Sequence, residues 1–223
     1  MRIHALQLAV ADPRALGAFY EGLGLPVVPS KSGVVVSFGR TDVAFTEAEP
    51  GVEPFYHFAV TIPENRFEAA YEWLDDRVGV LADVESGATR FEFEALLDAT
   101  ACYFRDPAGN IGELIARHSL DNGLPDGEQF CPQHLLGVSE IGLVVDDVPS
   151  VAETLTAVTG EPDLGGGDDF RMLGDDHGAF IVVDRDRPWF VSGDDPGVFP
   201  TTVTADVDAG HECQAYPYEI RVA

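Results

Sequence analysis

Lysine is almost absent. Lys31 is the only one in 223 residues, against twelve arginines, 22 aspartates and 17 glutamates, and the formal charge is -26. Such an excess of negative charge repels phosphates and acidic headgroups, which argues against nucleic acid or an anionic membrane as a partner. Cysteine is scarce too. Cys102, Cys131 and Cys213 are odd in number, far apart and form no C-x-x-C pair, so neither a disulfide framework nor a zinc knuckle is expected. They read as small residues of a reducing compartment. No apolar run reaches the roughly 18 residues that span a bilayer. The opening stretch MRIHALQLAVADP has no charged leader, apolar run and cleavage site in series, so no signal peptide and a cytoplasmic location are expected. No G-x-S-x-G elbow supports a serine hydrolase, and Gly165-Gly166-Gly167 before Asp168 and Asp169 reads as an acidic turn, since it lacks the lysine of a phosphate loop. Loss of lysine with aspartate in excess suits a halophilic surface, because molar salt shrinks the Debye length to about 3 Å and dense carboxylates stay hydrated there.

What the chain does have is a repeat. Stretches beginning at Leu6, Phe58 and Ile141 each open with a strand-like apolar alternation and then an acidic residue near a proline, the pattern of a helix cap and first turn. Helix-period apolar residues follow: Leu16, Phe19 and Tyr20; Phe67, Ala70, Tyr71 and Leu74; Val151, Leu155 and Val158. Strand-like runs come next, among them VVVSFG, VAFTE, RFEFEAL, CYFRD, FRMLG, AFIVVDR and PWFVSG. The unit is β-α-β-β-β. One unit cannot cover its own sheet, so units pair. Residues 1–118 are expected to form one pair and 119–136, rich in Gly and Pro, a linker. Residues 137–223 then hold a third module with extra strands at 199–207 and at the terminal YEIRV. The class is α+β, an open curled-sheet cleft from one module pair plus a C-terminal module packed on it or on a second copy in a homodimer.

The repeat, AFYEGLGLPV (Ala18–Val27) and above all YFRDPAGNIGELIAR (Tyr103–Arg117) resemble the vicinal-oxygen-chelate superfamily. That group includes glyoxalase I, extradiol ring-cleaving dioxygenases such as catechol 2,3-dioxygenase, and bleomycin-resistance proteins. The resemblance implies a cleft in which His, Glu or Gln side chains hold a divalent metal, Fe(II) or Mn(II) for a dioxygenase, that chelates two neighbouring oxygens of a small-molecule substrate.

On this template His57 lies seven residues before Glu64, at the ligand offset, and alternation turns His57, Ala59 and Thr61 toward the cleft. Glu113 closes the G-N-x-x-E motif as the carboxylate ligand. The same offset in the first module falls on Ala5, which cannot bind a metal. Glu47 at the end of VAFTE, His4 if a bulge turns it inward, or Gln7 are the alternatives for a third ligand. Glu140 stands at the offset in the third module, but without a G-N-x-x-E partner, so a metal site in that half alone is not expected. Tyr56 and Tyr103 flank the ligands as proton donors or substrate-orienting groups. Trp189 and Phe190 read as packing residues, His177 as a turn residue, and His134 and His211 as solvated. The leading expectation is an extradiol dioxygenase-like metalloenzyme; the alternatives are a metal-free binding protein of the bleomycin-resistance type, favoured by Ala5, and a glyoxalase-type lyase.

Overall fold

Three segments begin with the same local chemistry, and the first and third cap their helices alike. Asp12 accepts from the backbone N–H groups of Arg14 and Ala15 ahead of Pro13, and Asp147 accepts from Ser150 N–H. The second departs from expectation: Glu64 is no cap, because its helix starts three residues later at Phe67, behind Arg66, with no side-chain cap. The computed structural model describes residues 1–94, 97–207, 213–215 and 217–223; His211 and part of the RFEFEAL run lie outside the described residues.

Module 1 comprises β1 (Ile3–Val10), α1 (Pro13–Gly22), β2 (Val27–Pro29), β3 (Gly33–Phe38) and β4 (Thr41–Glu47). Module 2 comprises β5 (His57–Ile62), α2 (Phe67–Arg77), β6 (Phe91–Phe93), β7 (Ala99–Arg105) and β8 (Ile111–Arg117). Module 3 comprises β9 (Gly137–Val145), α3 (Val148–Thr159), β10 (Asp163–Gly166), β11 (Phe170–Asp175) and β12 (Gly178–Asp184). The strands β13 (Thr201–Ala205), β14 (Cys213–Ala215) and β15 (Tyr218–Val222) follow. Two details differ from the sequence reading. Gly165 and Gly166 lie in strand β10 rather than in a turn, and PWFVSG is a loop, because the third module has its three strands before it.

The pairing of modules also differs. The described residues form two sheets, ordered β14-β15-β13-β1-β4-β3-β2 and β10-β11-β12-β9-β5-β8-β7-β6. Module 2 therefore pairs with module 3, through antiparallel β5 and β9, while module 1 pairs with the C-terminal strands through β1 and β13. Residues 1–118 do not make one sheet. The reason is written in the central strands: β5 and β9 are buried along their whole length and need cover on both faces, whereas β1 alternates buried with exposed residues.

The two sheets share one core. Leu6, Leu8 and Val10 of β1 and Phe45 of β4 join Phe58 and Val60 of β5, Leu114 of β8 and Ile141 and Leu143 of β9 in it. Hydroxyls stitch the sheets as well. Thr41 donates to Ile3 O at 2.7 Å and accepts from Val138 N–H at 3.0 Å, and Tyr218 donates to Val144 O. A second, smaller core lines the other face of the eight-stranded sheet, where Ala59, Ala101, Tyr103, Ile115, Ile181 and Trp189 meet. That face is the concave one, and it carries the site.

Candidate metal centre

The motif Asp106-Pro-Ala-Gly-Asn110 works first as a turn. Asp106 accepts from the N–H groups of Ala108 and Asn110 and from the Asn110 side chain, and Gly109 takes the left-handed φ of 86° that the turn requires. Asn110 is fully buried, and its side-chain oxygen accepts from Tyr56 N–H at 2.9 Å. One turn thus fixes the residue before His57 on β5 and starts β8 two residues before Glu113. Gly112 is needed between them, since a Cβ there would lie 2.2 Å from the Phe104 ring.

Alternation then does the rest. His57 and Ala59 face the cleft, Glu113 stands opposite Ala59 on β8, and Glu140 stands opposite Ala59 on β9. His57, Glu113 and Glu140, all buried, offer ligand atoms that lie within 4.8 Å of one another. The expected partnership of His57 with Glu113 is present, at 3.6 Å between Nε2 and Oε2. The third member is Glu140. Its offset was legible, but its partner is the module before it, so the search for a carboxylate within its own module missed it.

The other expected residues are elsewhere. Glu47 ends β4 on the exposed surface of the seven-stranded sheet. His4 does sit at a register break in β1, but the irregularity leaves it exposed, 3.9 Å from Asp206. Gln7 is exposed on the same sheet. Tyr56 points away from the cleft: its hydroxyl accepts from Ala9 N–H at 3.2 Å and donates to Pro200 O at 3.1 Å, tying parts of the seven-stranded sheet, and burial pushes its pKa up to about 12. Tyr103 lines the cleft, and its hydroxyl hydrogen-bonds Glu113; burial and the Glu113 charge hold it protonated. Trp189 is more than packing between modules. It lies over Gly142, its ring 5.3 Å from His57 between centroids, and forms part of the cleft wall.

The donor set fits a divalent cation. His57 Nδ1 is 3.1 Å from the carbonyl oxygen of Ile111, which can only accept, so that nitrogen carries the proton and Nε2 presents a lone pair to the carboxylates. Burial lowers the His57 pKa to about 4, so the ring is neutral at neutral pH. Burial pushes Glu113 well up, and the neighbouring Glu140 adds to it; a cation between them would relieve both effects. Glu140 is pushed up by burial and held down by Arg117, whose guanidinium pairs with it. The fourth position related by strand register is Ile181, opposite Gly142 as Glu113 is opposite Ala59. It offers no ligand atom.

The cleft holds about 460 Å³. Phe93, Phe170, Met172, Val183 and Phe190 give it apolar walls, while Glu92, Glu94 and Arg187 also line it. The loop after β12 covers part of it. Trp189 N–H donates to Asp194 O at 2.9 Å, and an Arg105–Asp194 ion pair anchors the loop to β7.

The fold is found in known enzymes. A crystal structure of a "putative dioxygenase" from Bacillus subtilis superposes with a TM-score of 0.62 at 19% identity, covering 93% of this chain and 71% of that one. Glyoxalase I from Zea mays superposes at 0.52 with 16% identity, covering 92% and 74%. Its V278E variant superposes at 0.56 with 14% identity, covering 92% and 74%. The chain has the vicinal-oxygen-chelate fold. No family sequence model matches it, and no curated protein sequence does. Among the described residues, the cleft of modules 2 and 3 is the one that gathers ligand-type side chains. No helix among the described residues is long and apolar enough to cross a membrane.

Proposed function

We propose that the cleft is a mononuclear metal site of the vicinal-oxygen-chelate type, with His57, Glu113 and Glu140 holding Fe(II) or Mn(II). The reaction it fits best is extradiol cleavage of a small catechol-like ring. The observation that carries this is the triad itself: one neutral imidazole nitrogen and two carboxylates, with Ile181 at the fourth related position. A metal bound there would supply Lewis acidity to two neighbouring oxygens of a substrate.

This chain's residues supply the remainder. Aromatic and aliphatic walls take up the ring and exclude water around it. Tyr103, kept protonated beside Glu113, is placed to donate a hydrogen bond to a substrate oxygen. The fixed tautomer of His57 leaves the Nε2 lone pair facing Glu113, where a metal would bind.

The test is oxygen uptake by protein loaded anaerobically with Fe(II) or Mn(II), on mixing with catechol and 3-methylcatechol. Uptake that matches appearance of the ring-opened chromophore is the expected result. Metal binding without uptake, together with isomerisation of a thiol hemithioacetal, would replace this reading with the glyoxalase-type lyase that two carboxylate ligands also favour. Absence of metal binding would leave a small-molecule binding protein.

A further inference from the structure

Arg117 is fully shielded from solvent beside Glu140, and residues of two neighbouring strands are shaped around it. It is the last residue of β8, on the face of Glu113 and Ile115, and it reaches back across β5 to β9. Its guanidinium hydrogen-bonds the Thr61 hydroxyl at 3.4 Å and the Ser139 hydroxyl at 2.8 Å, and it pairs with Glu140. Ser139 reaches it because of an irregularity. The β5–β9 register steps from Ala59–Glu140 to Val60–Val138, so Ser139 is the extra residue of a bulge. A bulge re-aims side chains, and this one lets neighbouring residues Ser139 and Glu140 both serve one guanidinium. A buried ion pair with this much dedicated support is poor value as a stabiliser, since desolvation offsets most of the attraction. Its support points to a role in the site.

We propose that Arg117 is a specificity-determining residue that sets the charge of the loaded cleft and so selects monoanionic chelating ligands. The inference rests on the metal reading above. Among the buried groups, His57 is neutral, Glu113 and Glu140 together balance a divalent ion, and the Arg117 guanidinium leaves one positive charge in excess. A singly charged vicinal-oxygen ligand neutralises that excess. A dianion overshoots it, since the walls are apolar and the charged lining residues Glu92, Glu94 and Arg187 are wholly or partly open to water, which screens them. Arg117 also competes with the metal for Glu140, so it lowers metal affinity for the sake of ligand charge. The residue that chelates and the residue that chooses are thus different.

The experiment uses full-length protein loaded with Mn(II), with tropolonate as a monoanionic oxygen chelator and oxalate as a dianionic one, both titrated calorimetrically. Wild type should prefer tropolonate. Arg117→Met should bind Mn(II) about tenfold more tightly and tropolonate about tenfold more weakly, since a nearby like charge is removed from the ion and an opposite one from the ligand. Arg117→Lys, which keeps the charge, should retain the preference. Glu140→Gln adds one positive charge to the loaded site and should move the preference toward oxalate; this variant carries the test if Arg117→Met does not fold. Mn(II) binding with an unchanged tropolonate-to-oxalate ratio in Arg117→Met or in Glu140→Gln would overturn the proposal and leave the metal reading standing. Failure of wild type to bind either Mn(II) or anaerobic Fe(II) would overturn both.

Discussion

The two sheets are the same framework used twice, and among the described residues only one of them gathers ligand-type side chains. In the eight-stranded sheet, strand register relates His57 on β5, Glu113 opposite Ala59 on β8, and Glu140 opposite Ala59 on β9. In the seven-stranded sheet the same steps lead to Ala5 on β1, Ala44 opposite Gln7 on β4, and Thr202 opposite Gln7 on β13. None of these offers an imidazole or a carboxylate. The curled sheet therefore forms without the triad, and the buried charges are not there to hold it. Burying them costs stability, and the protein bears that cost in one sheet only.

The contrast breaks most sharply at Glu113. Glu113→Ala should weaken Mn(II) binding about a hundredfold or more, read by calorimetry, because one of two carboxylates leaves the triad. Glu47→Ala, on the exposed end of β4, should leave it within about twofold. Equal losses would show that the seven-stranded sheet contributes to the site.

His57 gives the next largest effect, without any metal. An unfolded histidine titrates near 6.5, while His57 does so at about 4 because burial disfavours its charged form. Between those values the unfolded chain binds a proton that the folded chain does not, so stability falls as pH drops through that window, by about 3 kcal/mol in all. The raised carboxylates Glu113 and Glu140 have the opposite slope, so the comparison is wild type against His57→Asn in chemical denaturation of metal-free protein. Loss of acid sensitivity between about pH 6.5 and 4 in the variant is expected. Identical profiles would mean that His57 is hydrated and charged as readily as in the unfolded chain.

Much of this was legible from spacing. Alternation assigned His57, Ala59 and Thr61 to one face and Phe58, Val60 and Ile62 to the other, and the two cores divide them that way. The offset marked His57 and Glu140, measured to Glu64 and Asp147. It leads to a cleft-facing His57 although Glu64 caps no helix, because His57 in β5 and Glu140 in β9 lie equally far from their strand ends. What periodicity does not encode is which unit pairs with which. Three similar first strands compete for partners, and the choice rests on burial of both faces of β5 and β9, a tertiary property. That one undetermined choice separated Glu140 from Glu113 on paper. It also sent the search for a third ligand to Glu47 and His4, and it hid Arg117, whose partners are on two other strands.

Trp189 extends the contrast to the loops. Gly142 is glycine because the indole lies on it: a Cβ there would fall 2.5 Å from the ring. Gly142→Ala should displace Trp189, destabilise the protein by about 2 kcal/mol and shift its emission toward that of a hydrated indole. A Trp73→Phe background leaves Trp189 as the sole tryptophan reporter. Unchanged emission and stability would mean that the loop rests on the cleft only loosely.

The smallest effect belongs to the tyrosine whose place differs from the sequence reading. Tyr56 precedes His57 by one residue, so alternation turns its ring from the cleft into the core that the two sheets share. Its hydroxyl satisfies Ala9 N–H of β1 and uses Pro200 O as acceptor. Tyr56→Phe removes both bonds but keeps the ring, and should cost about 1 kcal/mol in denaturant titration while leaving metal affinity unchanged. Tyr103→Phe removes a hydrogen bond to a ligand carboxylate instead, so it should change metal affinity by a few-fold. If the two variants behaved alike, the division of labour between the sheets would be lost. If they separate as expected, two tyrosines that the sequence placed symmetrically about the ligands are divided by the parity of a single β-strand.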